Sequence, residues 1–341
     1  MMDQSAHRRH FLQAGAAGLA ALGMTSGGSA DGTAHTNSGG IPLRSFGRIA
    51  EKVSVLALGG HHSTDPGKLD ESSSLRLIQR AVDEGITFLD NCWDYHDGLA
   101  EERMGKALAQ GKLRDKVFLM TKVCGRTAKE ARSNLEDSLR RLQTDRLDLW
   151  QFHEIVYDND PDWIFAADGA IEVALKAVEE GKVRYIGFTG HKHPAIHLRM
   201  LEKPYPWASV QMPINVMDAH YRSFQKKVLP LLLERGVATI GMKSLGGDGS
   251  IVARGGVRIE DALGYALSQP IATLVSGIDS EKVLDQNLKI AREFQPFSPS
   301  RMAEIEKSVV GLAGDGRFEL FKSSQAYDGK VHRKQHGFST S

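Results

Sequence analysis

Four side chains in this sequence stand where they can act together on a proton: Asp90, Tyr95, Lys122 and His153. Each lies at or just past the end of a short apolar run, 86–89, 117–121 and 147–152 in turn. A free phenol titrates near ~10, too high for an efficient acid at neutral pH. An ammonium beside it favours the phenolate and lowers that value. Asp90 would hold Lys122 charged and in place, and His153 would hydrogen-bond a carbonyl oxygen. The group suits delivery of a proton to an oxygen that is becoming an alkoxide. Singly, each has an ordinary structural use, as turn cap, rim aromatic, ion-pair lysine or core histidine. Only convergence on neighbouring strand ends, about 4.8 Å apart, makes them a site.

The elements needed for that convergence are legible along the chain. Apolar, non-alternating strands are predicted at 53–60, 86–91, 117–123, 147–153, 183–187, 208–214, 237–242 and 271–277. Between and after them come helices at 70–85, 100–110, 127–142, 169–180, 195–202, 223–235, 259–268 and 280–294, several stopped by glycine. Eight strand–helix units over roughly ~250 residues predict an α/β fold, a (β/α)8 TIM barrel, with its chemistry at the C-terminal strand ends. An N-terminal hairpin at 43–50 would plug one end, and 300–312 is an extra C-terminal helix. The predicted organisation is 1–40 signal and linker, 41–315 barrel and 316–341 tail, the tail either closing over the mouth or staying disordered. A doubly wound sheet would carry a Gly-rich fingerprint after its first strand. Leu58-Gly59-Gly60-His61-His62 is not one.

In this setting the sequence resembles the aldo-keto reductase family. The resemblance rests on Phe88-Leu89-Asp90 with Tyr95, Thr121-Lys122, the strand ending in His153, Ile186 through Gly190, Ser209-Val210-Gln211, and Gly277 through Asn287. It implies a barrel that binds NADP(H) or NAD(H) without a Rossmann domain. It also implies hydride transfer to aldehyde, ketone or sugar-like carbonyls, with Asp90, Tyr95, Lys122 and His153 catalytic. Thr189, Gly190 and Gln211 match the nicotinamide amide seat, with Gly190 standing where the family usually has Asn. Met242 replaces a stacking ring, and Lys243, Ser244 and Leu245 match the pyrophosphate segment. Gly277, Asp279, Lys282, Gln286 and Asn287 match the adenosine end. There Asp279 would repel a 2′-phosphate, Lys282 would compensate, and the choice between NAD and NADP stays open. Asp279 also reads as a helix cap. Trp93, Trp163 and Phe165, the last two in the loop 154–168, are expected to shape the substrate pocket.

The N-terminus, His7-Arg8-Arg9-His10-Phe11-Leu12 before an Ala/Gly/Leu run, resembles a twin-arginine export signal, with cleavage expected near Ala30. That order implies the twin-arginine machinery as a partner and a periplasmic or otherwise exported protein, cytoplasmic where the signal is unused. The apolar run is too short for an ordinary membrane span, and a formal charge of +1 gives no sign of nucleic acid. Two cysteines, Cys92 and Cys124, make no disulfide framework; they pair or, as the sequence favours, stay buried free thiols.

Three rival readings remain. A metal-dependent barrel hydrolase would use His61, His153, His191 and His193. The first strand lacks His-x-His and no aspartate closes strand eight, so no metal site is expected. A Schiff-base aldolase would need a desolvated Lys122 or Lys243, and the Asp90 partner argues against Lys122. A catalytically silent, nucleotide-sensing barrel would keep the fold without the reaction.

Overall fold

The structure, a computed structural model, describes residues 36–340. The twin-arginine motif and its cleavage site lie outside the described residues. An antiparallel hairpin comes first, β1 (Leu43–Ser45) and β2 (Lys52–Ser54). The barrel strands follow: β3 (Leu56–Gly59), β4 (Phe88–Asp90), β5 (Phe118–Val123), β6 (Leu147–Phe152), β7 (Val183–Thr189), β8 (Ser209–Pro213), β9 (Ala238–Met242) and β10 (Thr273–Ser276). All eight pair in parallel, and β10 closes on β3. This is the predicted (β/α)8 barrel, with helices on the outside of the ring. Among the described residues no helix is long and apolar enough to cross a membrane.

The lower end is sealed by the hairpin. Phe46 packs on Phe88 and Phe118 with ring centroids 5.9 and 5.1 Å away, and Phe118 on Tyr185 at 6.3 Å. Arg44 donates to the carbonyls of Ile271 and Leu267 at 2.9 and 2.7 Å, tying the plug to the ring.

Two elements differ from the sequence expectation. The predicted first strand splits, because Val53 and Ser54 pair with β1 and only Leu56–Gly59 joins the barrel. Ser54 Oγ accepts from Thr87 N and donates to Leu56 O, which turns the chain between the two sheets. The predicted helix at 223–235 breaks into Phe224–Lys227 and Leu229–Glu234. Pro230 has no N–H for the bond that would continue the first piece.

The start and the tail are both held. Asn37 Nδ2 donates to Gly85 O at 2.5 Å, within the segment assigned to a linker. The tail closes over the mouth in two short helices, Leu320–Ser323 and Lys330–Gln335. The wholly buried Lys322 anchors it, 2.6 Å from Asp218 and 2.8 Å from Glu319.

Candidate active site

Strands β4, β5 and β6 present Asp90, Lys122 and His153 side by side at their C-terminal ends. Lys122 Nζ lies 2.5 Å from Asp90 Oδ1, 2.7 Å from Asn91 O and 3.3 Å from Tyr95 Oη. Lys122 is 1 % exposed and Asp90 2 %, so the pair is dry. Tyr95 is delivered by a tight turn in which His96 and Asp97 take left-handed backbone, φ 52° and 56°. Such non-glycine residues cost roughly 1–2 kcal/mol each. The turn is held by His96 Nε2, 2.7 Å from His61 O, and by the Arg141 guanidinium packed against Gly98, where a Cβ would lie 2.4 Å from it. The Tyr95 and His153 rings meet edge to face at 5.8 Å.

Burial, then Asp90 and the other nearby acids, push the Tyr95 phenol well above its ordinary value. This is opposite to the lowering expected from Lys122, because desolvation and the surrounding negative groups outweigh one ammonium. Tyr95 is thereby favoured in its protonated form. Burial and the neighbouring His332 hold His153 well below the ordinary imidazole value, and so neutral.

Several residues around His153 carry no local sequence signal. Arg126, buried and 2.9 Å from Asp160, donates to the carbonyls of His153 and Glu154 at 2.8 and 3.0 Å. Glu154 itself has φ 45° and accepts from Gly329 N at 2.7 Å. His332 Nε2 lies 3.3 Å from His153 Nδ1, so the tail reaches the site directly. His332 lies in the segment 316–341, which the sequence marks only as a tail, so no local pattern placed it here.

The positions expected to hold a dinucleotide are assembled unevenly. Gln211 donates to Asp90 Oδ2 at 2.6 Å, and its buried Oε1 has no hydrogen-bond partner among the described residues. Thr189 ends β7 beside it in register. Gly190 admits no side chain, since a Cβ there would meet Ile155 O at 2.4 Å. Met242 ends β9 half-buried, Ser244 is buried, and Leu245 packs into a cluster with Ile251 and Val257. Lys243 sits with its ammonium 5.4 and 5.0 Å from the Phe321 and Tyr327 rings of the tail; burial lowers it to about 8. Asn287 Nδ2 donates to Ser276 Oγ, leaving a buried Oδ1 without a partner among the described residues. The His62 ring packs on Gly277. Asp279 pairs with Lys68 at 2.5 Å, not with Lys282, which like Gln286 is exposed. Nor does Asp279 cap the following helix; Ser280 does.

The expected aromatic pocket is not formed by the three residues named for it. Trp93 Nε1 donates to Asp137 on an outer helix, and Arg141 stacks on its ring. Trp163 is 37 % exposed and stacks on His336 of the tail. Phe165 packs against Trp207 and Lys203, in the layer outside the barrel. Their tertiary partners lie far away in sequence, so pattern alone misplaced them. The four histidines of a hydrolase do not converge either: His193 caps the helix Pro194–Leu201, His191 bonds Phe321 O, and His61 packs on His62, Tyr95 and His96.

Residues 55–256 match the aldo/keto reductase family. The aldo-keto reductase YhdN of Bacillus subtilis (strain 168) is 32% identical over 203 residues, covering 57% of each chain. The L-galactose dehydrogenase of Arabidopsis thaliana is 28% identical over 158 residues, 44% of this chain and 49% of that one. The chain thus spans about half the length of these relatives. Among solved structures, aldo-keto reductase AKR11C1 from Bacillus halodurans (holo form) superposes with a TM-score of 0.67 at 25% identity, covering 82% of this chain and 99% of that one. The thermostable aldo-keto reductase Tm1743, in complex with the inhibitor epalrestat, shares the fold at a TM-score of 0.64 and 22% identity, covering 78% and 99%. With its family match over more than half its length and the barrel to go with it, the chain belongs to the aldo/keto reductase family.

Proposed function

We propose that the protein is a nicotinamide-dependent oxidoreductase that reduces aldehyde, ketone or sugar-like carbonyls, with Tyr95 as the proton donor. The observation that carries this reading is Lys122 Nζ held between Asp90 and Tyr95 Oη at 2.5 and 3.3 Å. Bound NAD(P)H would supply the hydride that adds to the carbonyl carbon. As the C=O π pair moves onto oxygen, the Tyr95 phenol gives that oxygen its proton. The phenolate left behind is stabilised by the Lys122 ammonium, and Asp90 keeps that ammonium in place. Neutral His153 orients the carbonyl by a hydrogen bond.

The chain's residues fit such a cofactor. The orphaned Oε1 of Gln211 suits a carboxamide N–H, and its Nε2 bond to Asp90 links that seat to the proton donor. Lys243 offers a cation for a pyrophosphate, and the orphaned Oδ1 of Asn287 a polar contact for the adenosine end. Asp279, already paired with Lys68, sets the balance between ribose and 2′-phosphate. The sugar-like class draws some support from the L-galactose dehydrogenase relative. The order of charge and apolar residues at the N-terminus supports export by the twin-arginine route.

The test is to titrate the full chain with NADH and NADPH by fluorescence, then assay a panel of aldehydes, ketones and aldoses. Tyr95→Phe should lower carbonyl reduction by at least about 10²-fold while leaving dinucleotide affinity unchanged. Normal turnover in that variant overturns the assignment. Binding without turnover on any carbonyl favours the nucleotide-sensing barrel.

A further inference from the structure

Behind the proton-transfer residues, the same three strand ends bring together a second group. Cys92 and Asp94 follow β4, Cys124 follows β5, and His153 follows β6. Cys92 Sγ and Cys124 Sγ are 3.9 Å apart. His153 Nδ1 lies 3.1 Å from Cys92 Sγ, 3.5 Å from Cys124 Sγ and 3.5 Å from Asp94 Oδ1. All four donor atoms fall within 4.8 Å of one another.

Those four separations are close to the edges of a small tetrahedron, the Cys92 Sγ–His153 Nδ1 edge being the short one. Zinc bonds of roughly 2.3 Å to sulfur and 2.0–2.2 Å to nitrogen or oxygen give edges of about 3.8 Å between sulfurs, 3.6 Å from sulfur to nitrogen and 3.4 Å from nitrogen to oxygen. Hydrogen bonding alone leaves the group short. A neutral imidazole nitrogen either carries one proton or accepts one, yet two sulfurs, a carboxylate oxygen and His332 Nε2 all crowd His153 Nδ1. Among the described residues the buried Asp94 Oδ1 has no partner in good hydrogen-bond geometry, and the two thiols are the donors nearest to its carboxylate. A cation at the centre would meet four of these needs at once.

The ligands are also held from behind. Cys92 N donates to Asn91 Oδ1 at 2.8 Å, Cys124 N to Asn134 Oδ1 at 3.1 Å, and His153 N to Val123 O at 2.9 Å. Gly329 of the tail roofs the group, its position leaving room for a Cβ only 3.0 Å from Asp94 Oδ2. Two thiolates, one imidazole and one carboxylate in a tetrahedral set select a zinc-type divalent ion over magnesium or calcium.

We infer that Cys92, Asp94, Cys124 and His153 form a tetrahedral site for a zinc-type divalent cation, set directly behind the proton-transfer group. Binding would displace the two thiol protons to solvent as the two metal–sulfur bonds form, with no change of oxidation state. Ligation at Nδ1 leaves the remaining ring proton on His153 Nε2. If the reaction proposed above is right, that N–H is the one offered to the carbonyl; the metal site itself does not depend on that reading.

The test uses the full chain, expressed with zinc supplementation and measured without dinucleotide. Elemental analysis should find about one zinc per chain. Replacement by cobalt(II) should give thiolate-to-cobalt charge transfer and the absorption of a tetrahedral ion. The double variant Cys92→Ser, Cys124→Ser should bind at least about 10-fold more weakly and lose the charge-transfer bands. If that variant does not fold, Asp94→Asn decides: it keeps both thiols and should retain the charge-transfer bands while binding metal more weakly than the unaltered chain. A chain that takes up neither zinc nor cobalt, one that keeps its metal in the double variant, or one that carries a Cys92–Cys124 disulfide overturns the inference. Dinucleotide titration of the same sample separates that failure from failure of the proposed reaction.

Discussion

The two ends of this barrel are built from the same strands and behave as opposites. At the lower end the inward side chains are Phe88, Phe118, Leu149 and Tyr185, closed off by Phe46 and the hairpin. Two or four residues further up the same strands, the positions are Asp90, Lys122, Gln151 and Thr189. A strand points every second residue inward, so each one grades from apolar plug to polar donor along one row. The lower end excludes water with oil, and its partners need no particular geometry beyond fit. The upper end excludes water while holding charge, and most of that charge is paired: Asp90 with Lys122, Arg126 with Asp160, Lys322 with Asp218 and Glu319. Stability therefore belongs to the first end, and chemistry, bought with stability, to the second.

The sharpest way to break this division is at Lys122. Lys122→Met leaves Asp90 buried with Gln211 as its remaining side-chain partner. Removing one member of a buried pair costs about 3–5 kcal/mol. Under conditions where circular dichroism still shows a folded chain, carbonyl reduction should fall by about 10²-fold or more, since in the proposed reaction Tyr95 loses the cation that stabilises its phenolate. A variant that is destabilised yet turns over normally would return Lys122 to a purely structural role.

Phe46→Ala tests the other end. The ring is wholly buried against two others, and its loss should cost about 3–5 kcal/mol in denaturant unfolding. Turnover per folded molecule and dinucleotide affinity should not change. If both shift along with stability, the plug and the mouth are mechanically coupled and the contrast drawn here is too strong.

The same contrast explains what could be read from the chain beforehand. Strand ends are local: apolar runs closing in Asp90, Lys122 and His153 put those three at one rim, whereas Gln211 was marked only by the family resemblance. Cys92 and Cys124 were visible on neighbouring strands, but their meeting with His153 and Asp94 depends on which way each loop turns after its strand. The contributions of Arg126, Glu154, Gly329 and His332 were not legible, because the tail reaches them across more than a hundred residues without any periodic pattern. Trp93, Trp163 and Phe165 failed for a related reason. An aromatic in a loop takes whichever face is nearest, and here those faces are Arg141, His336 and Trp207. The split of the first strand and the break at Pro230 are smaller errors, one from a side-chain bond by Ser54 and one from a missing N–H.

The mildest prediction concerns a charge that the upper end holds without an ion pair among the described residues. Burial brings the Lys243 ammonium down to about 8, and the Phe321 and Tyr327 faces are its close neighbours. If a pyrophosphate binds there, its negative charge favours the ammonium and raises that value in the complex. Below pH 8 the amine is already charged in the free protein, so affinity should be flat. Above it, binding must take up a proton, and dinucleotide affinity should weaken by up to about tenfold per pH unit, until the higher value of the complex is reached. Fluorescence titrations at pH 7, 8 and 9 read this directly, and Lys243→Met should give a lower, level profile. A pH-independent affinity in the unaltered chain would take Lys243 away from the phosphates and leave its ammonium as part of the tail's aromatic seat.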